Sequence, residues 1–268
     1  MKKILEIKNL EVEFSTEKTI VKALKNVSFD LFENEIIGII GESASGKSTL
    51  AHAIMSLLDN SAKITKGQIF FENENILNKK EKELQKIRGK KISIIFQDPF
   101  SSLNPTMKIG KQILEAIDIN PSKQKVISLL KDVGIQDASL RFLQYPHQIS
   151  GGMRQRVMIA IAIASKPKII IADEPTTSLD TTYQSQIIDL LKDINKKYKS
   201  SIIFISHNLA LVSNIASKLY IMCSGKIIER ALVDDILNKP KQPYTKLLLN
   251  SLLKIDKNKK IKTKIFKK

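Results

Sequence analysis

The residues with the most chemistry in them begin at Gly41-Glu42-Ser43-Ala44-Ser45-Gly46-Lys47-Ser48, a glycine-bounded loop that ends in a lysine and a hydroxyl. An apolar run, Ile36 to Ile40, leads into it, and Thr49-Leu50-Ala51-His52-Ala53-Ile54-Met55, a helical stretch, leads out. Strand, glycine loop and helix in this order form a phosphate cradle. Gly41 and Gly46 let the backbone turn so that successive N–H groups point inward, and the new helix adds its positive end. Lys47 can then reach β- and γ-phosphate oxygens, and the Ser48 hydroxyl suits Mg²⁺. An ordinary glycine-rich turn is the competing reading. All four fixed positions and the flanking pattern are met, which weighs against it.

Two further runs complement the loop. Lys168-Ile169-Ile170-Ile171-Ala172-Asp173-Glu174-Pro175 reads as a buried strand ending in two acids. Beside a phosphate loop, Asp173 suits Mg²⁺ and Glu174 can polarise an attacking water; alone, the pair could be solvated carboxylates capping a strand. Ile149-Ser150-Gly151-Gly152-Met153-Arg154-Gln155-Arg156 opens an apolar helix. There, backbone N–H groups, the Ser150 hydroxyl and the helix dipole make a second anion site, or Ser150 is an ordinary N-cap. Two phosphate-binding helix ends in one chain would let a nucleotide be gripped from both sides.

These sites need elements to hold them. Ile4–Ile7, Glu11–Phe14 and Val27–Phe32 read as β segments ahead of the Ile36–Ile40 strand, and Gln68–Phe71 and Ile92–Phe96 as later ones. Residues 105–165 turn helical, with Ile109–Ile117, Lys123–Val133 and Arg156–Ala164 as the clearest stretches. Strands Ile169–Ala172, Ser201–Ile205 and Leu219–Met222 follow, with a helix at Tyr183–Tyr198. Short apolar runs alternating with helices predict an α/β fold with a mainly parallel sheet covered on both faces. The helical block at about 98–165 reads as an inserted subdomain.

Composition narrows the class. A chain of 268 residues, 43% apolar, can bury one large core. Its one cysteine, Cys223, excludes an intrachain disulfide and any multi-cysteine metal site, and reads as a buried thiol. The longest apolar run, Val157 to Ala164, is far short of a membrane span, and Glu6 comes too early for a signal peptide. A cytosolic location is expected. The net charge of +17 would fit a nucleic-acid or lipid partner, but residues 254–268 hold eight lysines and one aspartate. That tail is expected to be disordered, and the lysines and arginine between Lys79 and Lys91 are expected on an exposed helix.

From Leu5 to about Leu253 the sequence resembles the nucleotide-binding subunit of an ABC transporter. Ser150-Gly151-Gly152 is similar to the family signature, with Met153 where many members have glutamine. Phe96-Gln97-Asp98-Pro99 resembles the Q-loop, Thr177-Ser178-Leu179-Asp180 the D-loop, and Ser206-His207 the switch histidine. The resemblance implies a RecA-like phosphate-loop ATPase core with an N-terminal antiparallel β segment. It also implies the site roles. The loop from Gly41 to Thr49, with Ser150, Gly151, Gly152 and Asp180, would bind ATP; Ser48, Gln97 and Asp173 would hold Mg²⁺. Glu174 would be the general base, assisted by Gln97 and His207, while Phe14 is equally a candidate adenine-stacking aromatic and a core residue. Two such subunits would pair head to tail, each ATP lying between Lys47 and Asp173 of one and Ser150-Gly151-Gly152 of the other.

Within the family, Phe96-Gln97-Asp98-Pro99-Phe100-Ser101-Ser102-Leu103-Asn104-Pro105-Thr106-Met107, Tyr145-Pro146-His147-Gln148 and Asn238 to Leu248 resemble the peptide and nickel importer branch. The C-terminal segment of that type would span about 231–253. No cysteine follows Cys223, so no iron–sulfur cluster is expected. Peptide import is the favoured expectation, with nickel or a metal chelate behind it. The partners implied are a second ABC ATPase subunit (a heterodimer slightly ahead of a homodimer), two membrane permease subunits at the cytoplasmic face of the inner membrane and, indirectly, a solute-binding protein. The rival from another class is a soluble ABC ATPase acting on nucleic acid or ribosomes. Such proteins usually carry two ATPase units or a long coiled-coil insertion, and this chain has neither, so no nucleic-acid partner is expected.

Overall fold

The computed structural model describes residues 2–16, 19–177 and 179–258, the last eight by backbone alone. Its first part runs β1 (Lys3–Ser15), β2 (Ile20–Phe32), β3 (Ile36–Ile40), α1 (Lys47–Ile54), β4 (Ala62–Phe71), β5 (Glu74–Asn75), α2 (Glu81–Leu84) and β6 (Ile92–Ile95). Helices α3 (Pro99–Ser102), α4 (Ile109–Ala116), α5 (Lys123–Asp132), α6 (Ala138–Arg141) and α7 (Gly151–Ile163) come next. The remainder is β7 (Ile169–Asp173), α8 (Thr181–Tyr198), β8 (Ser201–Ser206), α9 (Leu209–Ser213), β9 (Lys218–Cys223), β10 (Lys226–Leu232), α10 (Val233–Asn238) and α11 (Pro243–Asn258).

Two sheets form. Strands β2-β1-β4-β5 pair antiparallel; β10-β9-β3-β8-β7-β6 form a six-stranded sheet that is parallel except for the β10 edge. The alternation of side chains along its strands assigns each to one of two cores. Ile37, Ile39, Ile169, Ile171, Ile203 and Ile205 face α1 and the antiparallel sheet. Ile36, Ile40, Ile170, Ala172, Ile202 and Phe204 face the helices. Both faces are dry, which is why β3, β7 and β8 read as unbroken apolar runs rather than alternating ones.

The same parity aims the site. Asp173 continues the Ile169, Ile171 row and so faces α1. Helix α7 is apolar nearly all round, with Val157, Met158, Ile159, Ala160, Ala162 and Ile163 buried, and it packs on α3, α4, α5 and β6. A helix of that composition belongs inside a helical subdomain.

Three expectations differ from the structure. The basic stretch from Lys79 to Lys91 holds only the four-residue α2, because Gly89 turns at φ +72 and β6 starts at Ile92. Arg88 there donates to the Met55 and Ser56 carbonyls at 2.8 and 2.6 Å, so it ties this stretch to α1. Cys223 is half-buried, since it ends β9 at a hairpin turn. Helix α11 continues to Asn258, five residues into the segment expected as a tail; residues 259–268 and Ser178 lie outside the described residues.

Candidate functional site

Four neighbouring parallel strands, β3, β8, β7 and β6, each deliver one part of the site at their C-terminal ends, where α/β sheets bind ligands. Their registers are level, with Ile40 beside Ser206, Asp173 beside Ile205 and Ile95 beside Ala172. The loop after β3, the acids at the end of β7, His207 after β8 and Gln97 after β6 therefore meet.

The loop after β3 needs its glycines. A Cβ on Gly41 would lie 2.3 Å from the Met222 carbonyl oxygen, and Gly46 adopts φ +100 with the Ala23 carbonyl oxygen 2.7 Å from where its Cβ would stand. Lys47 is 4% exposed. Its Nζ donates to the Gly41 and Glu42 carbonyls at 2.9 and 2.8 Å and lies 3.9 Å from Glu174 Oε1. Burial pulls its pKa below the usual lysine value, opposed by the charges of Glu174 and Asp173.

Glu174 is the hub. Its backbone sits at φ +47, a conformation that non-glycine residues rarely adopt. Oε2 accepts from Thr177 Oγ1 at 2.8 Å and Gln97 Nε2 at 3.4 Å, and lies 3.1 Å from His207 Nδ1. His207 is held between β8 and α9, whose N-cap, Asn208, accepts the Ala210 and Leu211 amides at 3.0 and 3.3 Å. Asp98 does the same for the segment after Gln97, taking the Phe100 amide at 2.8 Å.

Asp173 carries the unfinished chemistry. It is 4% exposed, and its Oδ1 is buried without a hydrogen-bond partner. Burial raises its pKa, and the hydrogen bond from the Ser48 side chain works the other way. A buried carboxylate oxygen with an unused lone pair beside a hydroxyl is the donor chemistry of a hard cation. Among the described residues no group of three or more His, Cys, Asp or Glu could hold a metal.

A cleft of about 240 Å³ opens onto these groups, lined by Ser43, Ala44, Gly46, Lys47, Ser48, Thr49, Gln97 and Glu174. The other expected residues lie elsewhere. Ser150 caps α7, its Oγ accepting the Met153 amide at 3.3 Å, and it is exposed, with Gly151 and Gly152 half-buried. Asp180 caps α8 through the Thr182 and Tyr183 amides at 3.1 and 3.0 Å. Phe14 is partly buried against the core on β1. None of these lines the cleft. Sequence reasoning quoted Thr177 as part of the D-loop-like run without seeing its bond to Glu174; its place three residues on, in a turn closed by the Thr177 amide on the Glu174 carbonyl, was the available signal.

Comparison with known proteins fits this geometry. The ABC transporter family matches residues 24–177, and the family of the oligopeptide/dipeptide transporter C-terminal region matches residues 228–267. The chain belongs to the ABC transporter family, as an ATP-binding and ATP-hydrolysing subunit of the oligopeptide/dipeptide type. It is 47% identical to a dipeptide transport ATP-binding protein of Lactococcus lactis subsp. cremoris (strain MG1363), over 95% of this chain and 75% of that one. It is likewise 47% identical to an oligopeptide transport ATP-binding protein of Bacillus subtilis (strain 168), over 93% of this chain and 72% of that one. Among solved structures, it is similar to a dimeric ATP-binding cassette in a post-hydrolysis state bound to ADP and Pi, with TM-score 0.76, 28% identity and coverage of 86% and 99%. It is also similar to cbiO1 of Clostridium perfringens, part of an ABC transporter complex, with TM-score 0.77, 25% identity and coverage of 97% and 100%.

Proposed function

We propose that this chain hydrolyses ATP to power import of di- and oligopeptides, at the cytoplasmic face of the inner membrane. The carrying observation is the convergence of Lys47, Asp173, Glu174, Gln97 and His207 at four adjacent strand ends, in a chain whose relatives are dipeptide and oligopeptide transport ATP-binding proteins. The chain would work with two membrane permeases, a solute-binding protein and a second ATPase subunit, a related chain slightly ahead of a copy of itself. Nickel import and action on nucleic acid or ribosomes are the readings it displaces.

The residues divide the work. Amides of the Gly41–Thr49 loop receive the phosphates, and Lys47 exchanges its two loop carbonyls for β- and γ-phosphate oxygens. Asp173, Ser48 and Gln97 would hold Mg²⁺, which neutralises charge on the transferred phosphoryl group. The orphaned Asp173 oxygen supports that role. Glu174, oriented by Thr177, Gln97 and His207, takes the proton of the attacking water. His207, half-exposed beside it, senses the γ-phosphate. Phe14 is proposed to stack on adenine, and Asp180 to stand beside the nucleotide across the subunit junction.

Ser150, Gly151 and Gly152 serve the other subunit's ATP. A capped helix end none of whose first residues lines the cleft of its own chain supports that division. ATP then binds the closed pair better than the open one and drives closure, and loss of the γ-phosphate lets it reopen. Co-purification with the permeases tests the reading: peptides delivered by the binding protein should stimulate ATP hydrolysis. Stimulation by a nickel chelate and not by peptides would overturn the substrate assignment, and stimulation by nucleic acid would overturn the transport reading.

A further inference from the structure

The phosphate loop is braced from outside by the far end of the chain. Its first turn closes on itself, the Ser45 amide donating to the Glu42 carbonyl at 3.2 Å. Two backbone groups that this turn leaves open are taken by distant residues. The Glu42 amide donates to the Tyr244 hydroxyl at 3.2 Å, across 202 positions of sequence. The Gly225 amide, in the β9–β10 hairpin, donates to the Ser45 carbonyl at 3.1 Å. That hairpin is itself pinned, since the Lys25 amide donates to the Gly225 carbonyl at 2.8 Å.

Tyr244 does not reach the loop by chance of a mobile side chain. It stands in the first turn of α11, and the turn before it is locked by Glu229 on β10. That carboxylate accepts the Lys241 and Gln242 amides at 2.7 and 3.0 Å. Tyr244 packs against the helical-side core, and α11 rests on α9, the helix that follows His207. One helix thus touches the loop on one side and the support of His207 on the other. Burial keeps the Tyr244 phenol above its usual pKa, so the hydroxyl stays neutral at physiological pH.

We propose that Tyr244 is a positioning residue for ATP binding: its hydroxyl fixes the Glu42 peptide and, through it, the aim of the loop amides, so that the seating of α11 sets nucleotide affinity. The physical reason is that a cradle of N–H groups binds phosphate only when they converge. Freeing one peptide at the base of the turn populates loop forms that cannot bind, and affinity falls by the competent fraction. This rests on the reading of the loop as the ATP site.

The test uses the full-length chain and Tyr244→Phe, which keeps the ring and removes the acceptor. Without nucleotide, amide hydrogen exchange in the segment 41–46 should quicken severalfold. Affinity for ATP should fall roughly two- to tenfold, the range of one lost hydrogen bond, with turnover at saturating ATP unchanged. The melting temperature should stay within about 2 °C, as one exposed bond in a large domain implies. Glu229→Gln, which weakens the turn before α11, should move exchange and affinity the same way by less. Loop exchange equal to wild type in Tyr244→Phe would overturn the proposal, as would unchanged affinity for ATP. Wild-type protein that fails to bind ATP would strike the functional reading instead, while loop exchange still decided the brace.

Discussion

The two regions proposed to hold phosphate differ in completeness. Around Lys47, charge meets charge: a buried lysine, two acids, a glutamine and a histidine converge within one chain, and among the buried side-chain atoms of these described residues Asp173 Oδ1 is left without a partner. Around Ser150 the helix end is finished as a cap yet faces none of those groups. A Cβ on Gly152 would lie 3.1 Å from the Tyr183 ring, so a side chain there would crowd that ring. The first region has the parts for chemistry and the second has the parts for grip. That asymmetry is what a site shared between two subunits requires of each.

Substitutions should separate the two regions by what they leave intact. Glu174→Gln keeps the shape and removes the base, so turnover should drop by about 10²–10⁴ while ATP binding persists and traps a dimer. Phosphate release and gel filtration with ATP would check this. Lys47→Ala removes a charged donor and should weaken ATP binding by about 1.5–3 kcal/mol, read by equilibrium titration. Ser150→Ala should cost about 1 kcal/mol of capping and lower turnover roughly tenfold by losing a donor to phosphate. It should leave ATP affinity of the isolated subunit unchanged, and a loss there would merge the two regions into one. Thr177→Val should do least: loss of its 2.8 Å bond to Glu174 should slow turnover a few-fold, about 0.5–1.5 kcal/mol, with affinity for ATP and ATP-driven dimerisation unaltered.

The lysine-centred region was largely legible in the sequence, because its parts are local. Gly41 to Ser48 needs only itself and a strand before it, and Asp173-Glu174 announces itself as acids ending an apolar run. The parallel sheet was legible for the same reason, as β3, β7 and β8 are buried on both faces. What joins distant residues was not. Nothing near Tyr244 or Gly225 in sequence refers to the loop they brace. The start of α7 at Gly151 was legible through Ser150 as its cap, although the apolar stretch begins only at Arg156, because the cap offsets the poor helix propensity of two glycines. The basic stretch from Lys79 to Lys91 misled, its charges resembling an exposed helix where Gly89 and β6 leave room for one turn.

The central claim, that each ATP is held by Lys47 of one subunit and the glycine helix end of another, can be tested by mixing two inactive chains. Lys47→Ala and Gly152→Asp should each lack ATPase activity alone. In a mixed head-to-tail pair both lesions fall on the same site and leave the second intact. A one-to-one mixture should therefore recover up to about a quarter of wild-type activity, since half of randomly formed pairs are mixed and each keeps one of two sites. Where gel filtration shows the two chains pairing with ATP, a mixture no more active than its parts would contradict the shared site and return both regions to a single subunit.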